Sequence, residues 1–519
     1  MKLKMELRGG LAYFPAGFDK REWALFKGLQ EALSSPVAGA EFRGRGGRPG
    51  GAWNGREYLL QLYGGVPAAP MGLLPRIAKE LKRLGSSLEL EWVDSRPVPD
   101  KWGFEVEYTG KPLRDYQVGA VNAATKDRGA MTCRGCLTMS IRSGKTEVMA
   151  AIIAKMRVPT LFMVPSVLLL RQTAARLEAS LRGPTIGICG EQIWQPGDVT
   201  VATVQTLLAR PAQGIPLARR SALIVGDEGH HFKSPAWRQV MLTAAAPYQL
   251  VLSGSLWFNP DEPQNEANIW ISGIVGPVLY NVPVDKMIRA GYLKRPKVLV
   301  FTCGSRPKNA GDSWNTYWDA AIPSNLGRNS MIADLATHCS RLGLRTLIDT
   351  GRKKQVKQIS EMIGRRGQTF DTLVGNTPEP IFKRTMSRLN RGESQGVIST
   401  VLGEGVDIPS LEVVINAEGG KSKVAMMQRM RNLTAIDGKG DVLVIDFMDA
   451  FSPKMIEHSE HRLVFYGSHQ EFDIQEIPMI AGKTRIPRDI AESILAGKGR
   501  AGACWICGDD HEPSQPPCR

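Results

Sequence analysis

No stretch of this 519-residue chain approaches about 18 consecutive apolar residues, which excludes a spanning helix read from hydropathy. The opening MKLKMELRGGLAYFPAGF lacks the apolar core of roughly 7–15 residues that a secretory signal needs, so a cytoplasmic protein is expected. Cysteine is scarce. The eight thiols, at 133, 136, 189, 303, 339, 504, 507 and 518, are too scattered for a disulfide scaffold. Acid is short as well: 51 Asp and Glu face 66 Lys and Arg, a net charge of +15. With no membrane segment to explain it, that excess points to nucleic acid as the polyanionic partner. The apolar share of 43% and charged share of 23% are those of ordinary globular chains, which excludes global disorder. At roughly 150 residues per domain, the length predicts about three to four domains.

Residues 1–108 alternate aromatic, apolar and polar positions and predict a small α+β accessory module. Within it, FRGRGGRPGGAWNGR (42–56) has four arginines, no acid and an indole, and its glycines exclude a helix or a central strand. Arg43, Arg45 and Arg48 could meet phosphates while Trp53 stacks on a base; the alternative is a solvated surface loop. From 109 to 285, short apolar runs (LFMVPS, VTVATV, ALIVGDE, YQLVLSGS) alternate with helix-length segments, the pattern of a doubly wound parallel sheet. The pattern returns over 286–470 in RTLIDT, TFDTLVG, QGVIST, EVVINA and DVLVIDF. A helical tail over 471–498 and a Cys-rich end over 499–519 complete the predicted organisation.

Chemistry concentrates in the first α/β region. SIRSGKTEVMAAIIAKM (140–156) sets a Ser143-Gly144-Lys145-Thr146 loop at the start of a helix, where free N–H groups and the helix dipole receive phosphate. Lys145 would reach the β- and γ-phosphates of ATP, and the Thr146 hydroxyl would ligate Mg²⁺. The first glycine of the full P-loop pattern is absent, with Met139 in its place. DEGHH (227–231) follows an apolar strand, which puts Asp227 at a strand's C-terminal end to hold Mg²⁺ and Glu228 beside it as general base.

The order of these motifs resembles superfamily 2 helicases. LRDYQ (113–117) is similar to that family's adenine-side motif, with Arg114 and Gln117 as nucleotide contacts. VPSVLLLRQ with Pro165, VATVQTL with Thr203 and Gln205, and STVLGEGVDIPSLEVVI with Thr400 resemble its nucleic-acid motifs. Gly405 and Asp407 of the last would face nucleotide. LSGS (252–255) stands at its motif III. The linker AGYLKRP and the run HSEHRLVFYGSHQEFDI are similar to the DNA-directed group with phage UvsW-type, XPB and type III restriction-like motors. The resemblance implies two tandem RecA-like domains, ATP held between them, and 3′→5′ movement on branched or forked DNA. An RNA helicase, a duplex translocase that does not unwind, and a nucleotide-gated DNA-binding module remain as alternatives.

Motif VI departs from the family. Where Gln-x-x-Gly-Arg-x-x-Arg is usual, Gln428 is followed by Arg429, Met430 and Arg431. Arg431, or failing that Arg429, would be the arginine finger; otherwise both bind backbone phosphates. At the end of the chain, Cys504, Cys507, His511 and Cys518 offer donors suited to tetrahedral Zn²⁺, against the alternative of reduced thiols on a frayed tail.

Overall fold

The computed structural model describes residues 2–14, 20–37, 54–84, 89–97, 101–140, 142–254, 266–307, 313–402, 411–421, 426, 441–478 and 484–497. The chain forms two compact units, Met1–Pro283 and Val284–Arg519.

The first unit contains an eight-stranded sheet in the order Ile193–Gln195, Ile186–Gly190, Val199–Thr203, Thr160–Val164, Leu223–Asp227, Tyr248–Ser253, Arg134–Met139 and Val278–Val282. Its pairings are parallel apart from the hairpin formed by the first two strands. Helices cover such a sheet on both faces, so its strands must be apolar on both sides. Thr160–Val164 and Val199–Thr203 are buried at every position.

A second sheet in this unit orders Gln61–Tyr63, Val66–Pro70, Leu11–Tyr13, Lys2–Arg8 and Glu89–Asp94. It does not stand apart from the first. Leu7, Leu29, Leu33 and Ile77 share one apolar core with Met241, Ile269 and Ile274. The helix Glu266–Val275 (EANIWISGIV) has apolar residues all round and so needs cover on more than one side. At the join a side-chain carbon on Gly72 would lie 2.4 Å from the Gly273 carbonyl oxygen, so only glycine fits.

The second unit is built on a seven-stranded sheet, Asp371–Leu373, Gly396–Ser399, Thr346–Asp349, Val413–Asn416, Asp441–Asp449, Arg295–Cys303 and Asp473–Ile477, all parallel. The expected helical tail over 471–498 is different here. Asp473–Ile477 adds the edge strand beside Arg295–Cys303, and the helix Arg488–Gly497 sends Ile490, Ile494 and Leu495 into the core. The polar residues of DIQEI hid a strand that is covered only in part.

Beneath the C-terminal ends of the central strands lies a fully buried charge network. Arg328 meets Asp449 at 2.8 Å and donates to the Ala417 carbonyl at 2.6 Å. Arg462, on the helix Pro453–Gly467, meets both Asp446 oxygens at 3.1 Å and donates to the carbonyls of Phe447 at 2.6 Å and Gly419 at 2.8 Å. Asn416 and the Tyr466 hydroxyl donate to the same Asp446 carboxylate. Two arginines and two aspartates thus balance within the low-dielectric interior and pin helix to sheet.

Candidate nucleotide site and nucleic-acid edge

The strand Arg134–Met139 runs through residues 140–144 into the helix Lys145–Met156. Gly144 turns with φ +76°, and a side-chain carbon there would lie 2.3 Å from Gln117 Nε2. The positive φ is what favours glycine there, since the Gln117 amide end could swing aside. The loop is held from outside. Gln117 Nε2 donates to the Ser143 carbonyl at 2.9 Å, and the Tyr116 hydroxyl donates to the same oxygen at 3.1 Å. Gln117 Oε1 in turn accepts the Arg114 N–H at 2.8 Å, capping the helix Asp115–Thr125. Gln117, expected at the nucleotide, lies against the phosphate loop with both ends of its amide hydrogen-bonded within the chain. Tyr116 was not singled out from sequence, although it sits inside LRDYQ; a tyrosine beside a glutamine carries no pattern of its own.

The loop fits a phosphate group. The Ser140 and Ser143 hydroxyl oxygens are buried and find no hydrogen-bond partner among the described residues, and buried polar atoms in a native site ordinarily find one. Lys145 Nζ stands 3.4 Å from Glu228 Oε1, and a side-chain carbon on Gly254 would lie 3.8 Å from that ammonium. The pair is long for a hydrogen bond. It brings GKT, DEGH and LSGS together at one edge of the sheet, as the strand-end argument expects.

Glu228 takes a left-handed backbone with φ +60°, uncommon for a residue with a side chain. Its N–H donates to the Leu252 carbonyl at 2.8 Å, and the following Gly229 N–H donates to Ser253 Oγ at 3.1 Å. Two hydrogen bonds across the parallel pair Leu223–Asp227 and Tyr248–Ser253 thus hold the turn. Asp227 ends its strand half-buried, and Thr146 lies half-buried in the first turn of the loop helix. This set suits Mg²⁺, which keeps several waters and takes few protein oxygens. His230 Nδ1 lies 3.9 Å from Glu228 Oε2, and burial above all pushes its imidazole down to about 4. It is neutral at neutral pH.

The other sequence-derived residues divide by location. Pro165 is half-buried just before the helix Val167–Ser180, whose cap Ser166 accepts the Leu169 N–H, and Val167 and Leu168 are exposed beyond it. Thr203 is buried, its hydroxyl committed to capping Val204–Ala209 through Thr206, which leaves Gln205 exposed. Thr400 is half-buried in the second unit, its N–H donating to the Leu373 carbonyl. Arg43, Arg45, Arg48, Trp53, Gly405, Asp407, Gln428, Arg429, Arg431, Cys504, Cys507, His511 and Cys518 lie outside the described residues. Among the described residues, no cluster of three His, Cys, Asp or Glu could hold a metal, and no helix is long and apolar enough to cross a membrane.

Sheet, phosphate loop and acidic turn define a P-loop ATPase with two RecA-like parallel sheets. The comparisons with known proteins narrow that class. The family model of the type III restriction enzyme res subunit matches residues 110–256, and the helicase conserved C-terminal domain matches 328–431. The chain is 23% identical over 368 residues to the DNA 3′-5′ translocase XPB2 of Sulfurisphaera tokodaii, covering 64% of this chain and 80% of that one. Matches to three further relatives span 48–65% of their lengths. Among solved structures, a fragment of a putative HsdR subunit of a type I restriction enzyme from Vibrio vulnificus superposes with TM-score 0.53 at 17% identity, over 72% of this chain and 70% of that one. Saccharomyces cerevisiae Dbp5 bound to RNA and ADP BeF3 superposes with TM-score 0.53 at 16% identity, over 75% and 93%. The chain belongs to superfamily 2 of the helicases and translocases. That membership implies a nucleic-acid-dependent ATPase that uses ATP and Mg²⁺.

Proposed function

We propose that this chain is an ATP-driven motor that moves 3′→5′ along DNA and remodels branched or forked substrates. The observation that carries the reading is the Lys145–Glu228 approach at the strand ends, which sets a phosphate-binding cation beside a general base. The Ser143–Thr146 loop cradles the phosphates, with Lys145 on the β- and γ-phosphates. Bound Mg²⁺ would be held by Thr146 and Asp227 and would neutralise charge on the phosphate oxygens. Glu228 orients the attacking water and takes its proton, and Arg431 stabilises charge on the equatorial oxygens as the bond to the leaving phosphate lengthens. Arg114 stays near the base. Gly405, Asp407 and Gln428 contribute from the second unit's motifs.

Pro165, Gln205, Thr400 and the basic arm would contact backbone phosphate, which is largely independent of sequence. The printed name of the Sulfurisphaera relative, a DNA 3′-5′ translocase, supports direction and substrate. An RNA substrate is the second reading, supported by the RNA-bound Dbp5 neighbour. ATP hydrolysis measured alone and with single-stranded DNA, forked DNA, duplex and RNA decides between them. The DNA reading expects forked or single-stranded DNA to stimulate most. Stimulation by RNA alone would overturn it.

A further inference from the structure

The second unit carries an aromatic and basic patch that none of the motifs accounts for. Trp314 opens the helix Trp314–Ala321 and leaves 43% of its surface exposed. It packs on Trp318 at 5.7 Å, on His458 at 5.4 Å and beside Tyr317 at 6.1 Å between ring centroids. Of those neighbours, Tyr317 and Trp318 rest on the small apolar cluster of Ala321, Ile322 and Met455. A rigid aromatic bed therefore supports the exposed indole from below. Lys454 Nζ stands 5.9 Å from the Trp314 ring centroid. Among the described residues, Lys454 and Lys421 both meet Glu457, at 2.9 and 3.3 Å, so two cations share one carboxylate. Both lysines are about half exposed.

Position adds to chemistry. Ile322 approaches Gly419, which follows the strand Val413–Asn416, and the helix bearing Lys454 and His458 follows the strand Asp441–Asp449. The patch thus lies at the C-terminal edge of the sheet, where Thr400 also lies. A flat, supported, half-exposed ring beside half-exposed Lys454, which shares Glu457 with Lys421, is the chemistry of base stacking beside phosphate.

We propose that Trp314 is a stacking platform for an unpaired base of a DNA single strand, with Lys454 and Lys421 meeting the phosphates on either side. The proposal rests on the nucleic-acid motor reading and gives the second unit its grip on bases rather than on backbone alone. Away from its ends, duplex DNA keeps its bases paired and stacked on one another and offers no unpaired base to the indole.

Fluorescence anisotropy of the full chain with labelled (dT)20, and with a blunt 20-base-pair duplex, tests it. Trp314→Ala is expected to weaken (dT)20 binding roughly 5- to 100-fold while duplex affinity and DNA-free ATP hydrolysis stay unchanged. Trp314→Phe should keep most of the affinity. Each of Lys454→Ala and Lys421→Ala should lower the log–log salt slope for (dT)20 by about 0.7. Wild-type (dT)20 affinity in Trp314→Ala overturns the proposal, as does equal loss on duplex and single strand, or Trp314→Phe as weak as Trp314→Ala. If the wild-type chain binds neither probe, the motor reading itself fails and takes this one with it.

Discussion

The first unit's Lys145–Glu228 pair stands at the C-terminal ends of its strands and the second unit's Arg462–Asp446 pair beneath a central strand, and they are built to opposite ends. Lys145 and Glu228 stay 3.4 Å apart on a turn with φ +60°, next to serine hydroxyls that find no partner among the described residues. Arg462 has its donors on Asp446, Phe447 and Gly419 and is almost wholly buried. A site that must exchange partners with a ligand keeps its polar groups under-satisfied. The Arg462 guanidinium spends its donors inside the protein, which suits a scaffold, although Arg328 Nη2 and Asn416 Oδ1 of the same network find no partner among the described residues.

The largest effects break the first side of this contrast. Arg431→Ala should lower DNA-stimulated kcat by about 10³–10⁵-fold with ATP affinity much less affected, measured by steady-state hydrolysis. Lysine at 431 should not rescue fully, since an ammonium lacks the planar fork. Should Arg431→Ala turn over normally while Arg429→Ala is dead, the finger lies two residues earlier. Glu228→Gln should cut kcat by roughly 10²–10⁴-fold and trap bound ATP, and Lys145→Ala should abolish binding or turnover. Near wild-type hydrolysis in Glu228→Gln would remove Glu228 from the role of base.

The second side breaks through stability. Arg462→Ala leaves the Asp446 charge buried without its main partner and should cost the second unit about 3–5 kcal/mol, read as an earlier transition in urea. Nucleotide binding by the first unit should persist. A variant that unfolds normally but loses nucleotide would show that the network serves the site rather than the scaffold.

What could be read from sequence follows the same division. GKT and DEGH were legible because phosphate chemistry needs those residue types at fixed places on strand ends. Arg328, Arg462, Asp446 and Asp449 were not, since charged residues read as surface until a tertiary partner is known. The run HSEHRLVFYG stood out by resemblance alone. The fold supplies its reason, because Arg462 and Tyr466 project from that helix onto Asp446. The strands Arg134–Met139 and Arg295–Cys303 went unnamed because Arg134 and Gly135 break the apolar run of the first, while Arg295, Pro296 and Lys297 make the start of the second read as linker. The core shared by residues 1–108 and the first parallel sheet was invisible because which apolar faces meet is not a local property.

Each region holds a buried imidazole pushed well below its ordinary value, His230 in the first and His458 in the second, and acid should find both. Burial holds His458 down at about 4, reinforced by Lys421 and Lys454 and by Arg462 against the opposing Glu457. The unfolded chain, near 6.5, takes up its proton first as pH falls. The stabilisation is therefore complete above about pH 6.5 and is lost progressively toward pH 4, by at most about 3 kcal/mol. His458→Gln should flatten that decline for the second unit in urea titrations run at pH 7, 6 and 5. An unchanged slope would mean that His458 is already charged in the folded state.

The smallest test is a matched pair of lost hydroxyls. The Tyr116 hydroxyl donates to the Ser143 carbonyl at 3.1 Å, and the Tyr466 hydroxyl donates to Asp446 Oδ2 at 2.7 Å. The first acceptor is neutral and keeps Gln117 Nε2 as a second donor, so Tyr116→Phe should cost about 1 kcal/mol or less. That loss falls on the shape of the phosphate loop and should appear as a roughly two- to fivefold rise in KM for ATP with kcat nearly constant. The second acceptor is a buried carboxylate, for which a donor is worth about 1.5–3 kcal/mol. Tyr466→Phe should therefore move the second unit's urea transition and leave KM alone. If the two substitutions exchange signatures, with Tyr116→Phe lowering stability and Tyr466→Phe raising KM, then the network under the second sheet is part of the working site.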